Sequence, residues 1–270
     1  MLHLICALKC EAQPLIKQYR LNHVQDAGVF PCYINPDCGI SLTISGIGKV
    51  NAAAATSYTY DYFKCRETDA WLNVGIAGHQ SIAVGRAVLA HKILDTGNGN
   101  VWYPQIVFTV PCDTQPLKTL DKPCFEYEDI MFDMEASGFY SIASRFATTE
   151  LIHVIKVISD NSMHPVKKPD KKFFSELVEQ QLQIIAQLID RLISLSSELA
   201  VLHKSPEYFD DCIKHWHFTN YERHVLARLL GRWHILRPGE NPLAYSTNIK
   251  SSKEVISLLE TTLESSIVRF

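Results

Sequence analysis

The chain has 270 residues, 47% of them hydrophobic and 20% charged, with a formal net charge of -3 and 8 cysteines. Such a composition suits an ordinary soluble protein with one large domain, or a domain plus a smaller one, and it excludes an overall basic field for nucleic acid or anionic lipid. No apolar run approaches the roughly 18 residues of a membrane span, no Cys-x-x-Cys pair occurs, and the opening Met1–Cys6 reads as a strand and not as a signal peptide, so reduced thiols in a cytoplasm are expected.

Leu2 to Leu8 is a short apolar strand, followed at once by Lys9-Cys10-Glu11 and a helical stretch from Ala12 to Tyr19. Gly28 to Asn35 and Ile40 to Ile44 read as two strands joined by the Pro36-Asp37-Cys38-Gly39 turn. Ser45-Gly46-Ile47-Gly48-Lys49-Val50-Asn51 then opens an Ala-rich helix to about Phe63. Gly46-Ile47-Gly48-Lys49 fails as a nucleotide loop: a P-loop needs four residues between its glycines and a Ser/Thr after the Lys, and the dinucleotide fingerprint needs a third glycine where Asn51 stands. A structural strand-to-helix turn is the better reading.

Trp71 to Val74 is a buried strand ending in Gly75-Ile76-Ala77-Gly78-His79, where glycines admit a ligand or another segment close to the backbone. Ala87–Leu94 and Ile106–Val110 read as further strands, and residues 111–128 as irregular. Phe139, Ile142, Ala143 and Phe146 set a helix from about Glu135 to Phe146, and Leu151–Ile158 is a β-branched run suited to a central strand. Lys171 to about His203 lacks Gly and Pro and reads as one long helix whose second half could form a coiled-coil-like seam.

Capping boxes at Thr219-Asn220-Tyr221-Glu222 and Ser251-Ser252-Lys253-Glu254 open two more helices. The expected fold is therefore α/β: a central, mostly parallel twisted sheet flanked by helices over residues 1–204, with a small C-terminal helical appendix over 205–270. In the appendix, His215, His217 and His234 lack a recognisable metal-ligand spacing. The His224, Arg228 and Arg232 stripe reads as a solvated or partner-binding face before it reads as a nucleic-acid contact.

Three acids fall just past strands in this layout: Glu11, Glu135 and Asp160. Singly each could be a helix cap or an ion-pair partner. Jointly they share the sheet edge at which ligands bind in open α/β folds. No Gly-x-Ser-x-Gly elbow is present, which excludes the usual α/β serine hydrolase.

In order along the chain, Ala7-Leu8-Lys9-Cys10-Glu11, Gly46-Ile47-Gly48-Lys49-Val50, Val74-Gly75-Ile76-Ala77-Gly78, Asp133-Met134-Glu135-Ala136 and Ile158-Ser159-Asp160 resemble the motifs of the purine nucleoside phosphorylase/5'-methylthioadenosine–S-adenosylhomocysteine nucleosidase superfamily, over about residues 1–190. The resemblance implies a nucleoside phosphorylase-like fold and cleavage of the N-glycosidic bond of an adenine-type nucleoside without a cofactor. It implies Asp160 as acid to the base, Glu135 on the ribose hydroxyls, and Glu11 on the attacking water. It further implies Met134, Ser159, Gly78, Ile76 and Lys156 as substrate-binding positions, a small-molecule nucleoside as partner, and a homodimer. Phe125 or Tyr127 could stack on the base.

A carboxylate at Glu11 would repel phosphate, which favours hydrolysis over phosphorolysis. A phosphorylase and a catalytically impaired nucleoside-binding scaffold are the alternatives. The chain departs from the family's pattern at Ile76 (Ser in the family), Lys156 (Arg), Asp133 (Glu) and Gly85-Arg86 (Gly-Asp). The stretch between Asp95 and Glu135, about 40 residues, is also shorter than the resemblance implies.

Overall fold

The computed structural model describes residues 1–124, 126–165, 170–202, 205–245 and 249–265. The chain divides into two compact units, residues 1–200 and 201–270. Among the described residues no helix is long and apolar enough to cross a membrane.

The first unit begins with β1 (Leu2–Cys6) and α1 (Lys9–Gln18), then β2 (Asn22–His23), β3 (Cys32–Asn35), β4 (Ile40–Ile44) and α2 (Lys49–Tyr62). It continues through β5 (Ala70–Gly78), β6 (Ala87–Asp95), β7 (Val101–Trp102), β8 (Asp113–Thr119) and β9 (Met131–Asp133). It closes with α3 (Ala136–Ala143), β10 (Ile152–Asp160), α4 (Lys171–Gln180) and α5 (Leu182–Leu202). β4, β1, β5 and β10 lie side by side and parallel, so their carboxyl ends share one rim. β1, β4 and most of β5 and β10 are buried residue after residue, as strands covered on both faces must be.

The sheet as a whole is mixed and not mostly parallel. β3 pairs antiparallel with β4, and β6 antiparallel with β10. Chain length is the reason. A parallel crossover takes about a dozen residues or more, and the connection from Gly78 to Ala87 is shorter, so the chain turns back after β5. Pairings β5–β10, β10–β6, β6–β8, β8–β9 and β9–β5 then close these five strands into a ring.

Two other readings are corrected. Ile106–Val110 forms no strand: Ile106, Phe108 and Val110 pack on the core while Val107 is exposed, an alternation that needs no ladder partner. The ladder is made instead by β8, within the stretch read as irregular. There Pro116, which cannot donate, sits at a register shift opposite Lys92. The helix expected over 171–203 is two helices, interrupted at Gln181. Its apolar stripe (Leu177, Val178, Ile185, Leu188, Ile189, Leu192) is spent on the sheet core with Leu4, Leu42 and Leu72, and not on a coiled-coil seam.

α2 and α3 approach so closely that a Cβ on Gly138 would lie 1.9 Å from the carbonyl oxygen of Lys49. Gly138 therefore sets the distance between the Gly46–Gly48 turn and the start of α3.

The second unit holds α6 (Phe209–His215), α7 (Asn220–Leu236) and α8 (Ser252–Ser265) around Cys212, Leu226, Leu229, Trp233, Val255, Leu259 and Leu263. Thr219 and Glu222 cap α7 reciprocally. His224, Arg228 and Arg232 are exposed on α7.

Replacing Gly138 with Ala must push α3 away from α2. We expect a loss of about 2–3 kcal/mol, read as a lower urea midpoint with an unchanged slope.

Candidate active site

The common rim explains how residues far apart in sequence meet. β1 ends one turn before Glu11, in the first turn of α1; β10 ends at Asp160. β9 runs antiparallel across the end of β5, with Phe132 opposite Gly78, and this carries Met134 and Glu135 to the same place. A cleft of about 310 Å³ opens there. Its walls include Glu11, Ile76, Gly78, Met134, Glu135, Ser159 and Asp160. Phe125 lies outside the described residues.

Lys156 does not line the cleft. It is 1% exposed in the interior, and its ammonium lies 2.8 Å from Asp133 Oδ2. Burial opposes its charge, but Asp133, Glu135 and Glu11 outweigh burial and hold the ammonium above the usual lysine range. Asp133 is fully engaged: Oδ2 also accepts the Ala136 N–H at 2.8 Å, and Oδ1 accepts the Thr119 hydroxyl at 2.8 Å.

Glu11 is 2% exposed. Burial pushes its carboxyl up to about 7, against the opposing pull of the Leu8 N–H, 3.0 Å from Oε2, and of Lys156. A carboxyl poised there can take a proton near neutrality. Glu135 is also raised, by burial and then by Asp133, while Lys156 and two backbone donors restrain it. The donors are Gly48 N–H, 2.8 Å from Oε1, and Met134 N–H, 3.3 Å from Oε2. The Gly46–Gly48 turn thus has a local role at the site. Gly46 and Gly48 hold φ of +82° and +100°, open to glycine, and that conformation aims an amide at Glu135. Lys49 faces away, pairing with Asp95 at 2.7 Å and Asp121 at 2.8 Å.

Asp160 accepts the Ser159 hydroxyl at 2.5 Å on Oδ1 and the Tyr127 hydroxyl at 2.8 Å on Oδ2. Gly78 makes this corner possible: a Cβ there would stand 2.3 Å from the Phe132 ring and 3.2 Å from Asp160 Oδ2. Gly75 does the same below the floor, where a Cβ would lie 3.2 Å from the Lys156 ammonium. Gly75 and Gly78 are strand residues, not a turn after it.

Leu8, Ile47, Leu120, Pro123, Phe132 and Phe174 give the cleft an apolar lining that no sequence pattern signalled. They come from five separate places in the fold, and Leu120 and Pro123 from a loop without periodicity.

Among the described residues, one group of three potential metal ligands exists: His3, Cys65 and Asp69. It adjoins the amino end of β1, the end away from the rim. Asp69 is already spent on the amino group of Met1 at 2.6 Å and the Arg66 N–H at 2.7 Å.

Neither a protein-family model nor a curated protein matches this sequence. Solved structures do. A 5'-methylthioadenosine/S-adenosylhomocysteine nucleosidase from Helicobacter pylori, with butyl-thio-DADMe-Immucillin-A, has a TM-score of 0.58 at 12% identity, covering 70% of this chain and 97% of that one. The Arabidopsis thaliana 5'-methylthioadenosine nucleosidase in apo form has a TM-score of 0.58 at 15% identity, covering 71% and 95%. Futalosine hydrolase of H. pylori has 0.55 at 14%, covering 70% and 97%. The likeness is one of fold, shared with these nucleosidases and the futalosine hydrolase over about 70% of this chain.

Glu11 carries a pH signature. In the unfolded chain it titrates near the ordinary 4.5 and in the fold near 7. Between those values the folded protein holds a proton that the unfolded chain has released, so its contribution is fully present below 4.5 and lost as pH rises through about 7. Glu11→Gln should therefore raise the melting temperature relative to wild type more at pH 8 than at pH 5, as followed by circular dichroism.

Proposed function

We propose that the cleft binds a purine nucleoside of the adenine type and hydrolyses its N-glycosidic bond. The observation that carries this reading is the convergence of Glu11, Glu135 and Asp160 on one nucleoside-sized cleft. Its volume lies within the roughly 300–1,000 Å³ of small-molecule sites. The cleft is lined by apolar side chains, with the polar groups gathered at the rim of the sheet.

Breaking the bond from C1' to N9 leaves a ribosyl cation and an electron-rich base. Asp160 delivers a proton to N7, so that the base departs neutral. Glu135 accepts from the 2'- and 3'-hydroxyls, and its negative charge favours the developing cation. Glu11 takes a proton from the water that attacks C1', a task suited to a carboxyl titrating near 7. Met134 and Phe132, both on the cleft wall, cover the apolar faces of sugar and base. The buried Lys156 offsets part of the repulsion among Glu11, Asp133 and Glu135.

Charge also supports water over phosphate as nucleophile. Among the described residues, Glu11, Asp133, Glu135 and Asp160 line the cleft, with Lys122 as the only cationic lining residue and no arginine. A phosphate dianion would meet a negative field, whereas water would not. The activities named for the neighbouring folds, on methylthioadenosine, S-adenosylhomocysteine and futalosine, are consistent with nucleoside cleavage.

The test is release of free base, followed by chromatography, from methylthioadenosine, S-adenosylhomocysteine, adenosine and inosine with and without phosphate. We expect phosphate-independent release, with kcat lowered about 10²- to 10⁴-fold by Asp160→Asn and by Glu11→Gln. Release that requires phosphate would instead indicate a phosphorylase. Nucleoside binding without turnover would indicate a binding protein.

A further inference from the structure

Asp160 has a partner that does not line the cleft. Tyr127, on the loop between β8 and β9, donates its hydroxyl to Asp160 Oδ2 at 2.8 Å, and its ring packs on Phe132 with centroids 5.7 Å apart. Phe132 in turn fills the space left open by Gly78. The loop is pinned beside Tyr127 from two directions. Glu128 pairs with Lys118 of β8, and its carbonyl accepts the Gln80 N–H at 3.0 Å. The bond to Asp160 is thus built into the scaffold and not a chance contact of a free side chain.

A hydroxyl donates a stronger hydrogen bond to a carboxylate than to a neutral carboxyl group. When Asp160 gives its proton to N7, the electron pair of the C1'–N9 bond passes to the base, and Asp160 becomes a carboxylate. The Tyr127 bond therefore strengthens as the glycosidic bond breaks, and an interaction that strengthens in the transition state raises kcat without changing substrate affinity. Tyr127 keeps its own proton throughout: burial, then the neighbouring Asp160, hold its phenol well above the usual range.

We propose that Tyr127 is a positioning residue that acts through Asp160, stabilising the carboxylate formed when the proton is handed to the departing base. The inference rests on the reading of Asp160 as the acid.

The experiment uses the 270-residue chain, an adenine nucleoside, and 4-nitrophenyl β-D-ribofuranoside, whose leaving group departs as an anion without a proton. For Tyr127→Phe we expect kcat on the nucleoside to fall about tenfold with KM nearly unchanged, and cleavage of the riboside to stay within about twofold. For Asp160→Asn we expect a far larger loss on the nucleoside, with the riboside again spared.

Equal losses on both substrates in Tyr127→Phe would mean a merely structural role and overturn the proposal. So would an unchanged kcat, or a loss confined to KM. A wild type that cleaves neither substrate, or an Asp160→Asn variant that still cleaves the nucleoside, would overturn the acid assignment itself. If Tyr127→Phe fails to melt cooperatively, 3-fluorotyrosine at this position provides a stronger donor of nearly the same size. It should raise nucleoside kcat and leave the riboside unchanged, and a fall or no change would count against the proposal.

Discussion

The site depends on one buried cation. Lys156 sits in the sheet interior with its ammonium against Asp133 and within the field of Glu135 and Glu11. Isolated carboxylates in such a place would be driven to protonate by desolvation and by one another. The ammonium opposes that drive only in part. Glu11 still rises to about 7, and Glu135 is also raised. Lysine at this position supplies a compact charge in place of a planar fork, and one well-directed contact to Asp133 uses it.

Backbone proximity is the second constraint. Gly78 lets Phe132 and Asp160 meet over the end of β5, and Gly138 lets α3 touch the first turn of α2. These two approaches bring the Gly48 amide to Glu135 and the β9 chain to the rim. Side chains at either position would separate these groups, so two close backbone approaches lie beside the candidate site.

Local patterns carried much of the fold. The buried strand around Trp71, the run from Leu151, the Ala-rich helix after Gly48 and the capping box at Thr219 depend on neighbours within a few residues, and each is found. The reading was wrong where distant partners decide. Ile106–Val110 alternates like a strand but finds no edge to pair with, while β8 finds β6 despite a proline. Gln181 breaks a helix that propensity would continue.

By itself, the sequence determined many of the helices and strands and that acidic residues stand near the ends of three of them, because periodicity and side-chain chemistry are properties of short stretches. Only the tertiary structure decided that Glu11, Glu135 and Asp160 line one cleft, that Lys156 lies beneath it, and that Tyr127 holds Asp160. It also decided the mixed course of the sheet. These relations join residues tens of positions apart, and they follow from strand order and close backbone packing, which no short stretch of chain encodes.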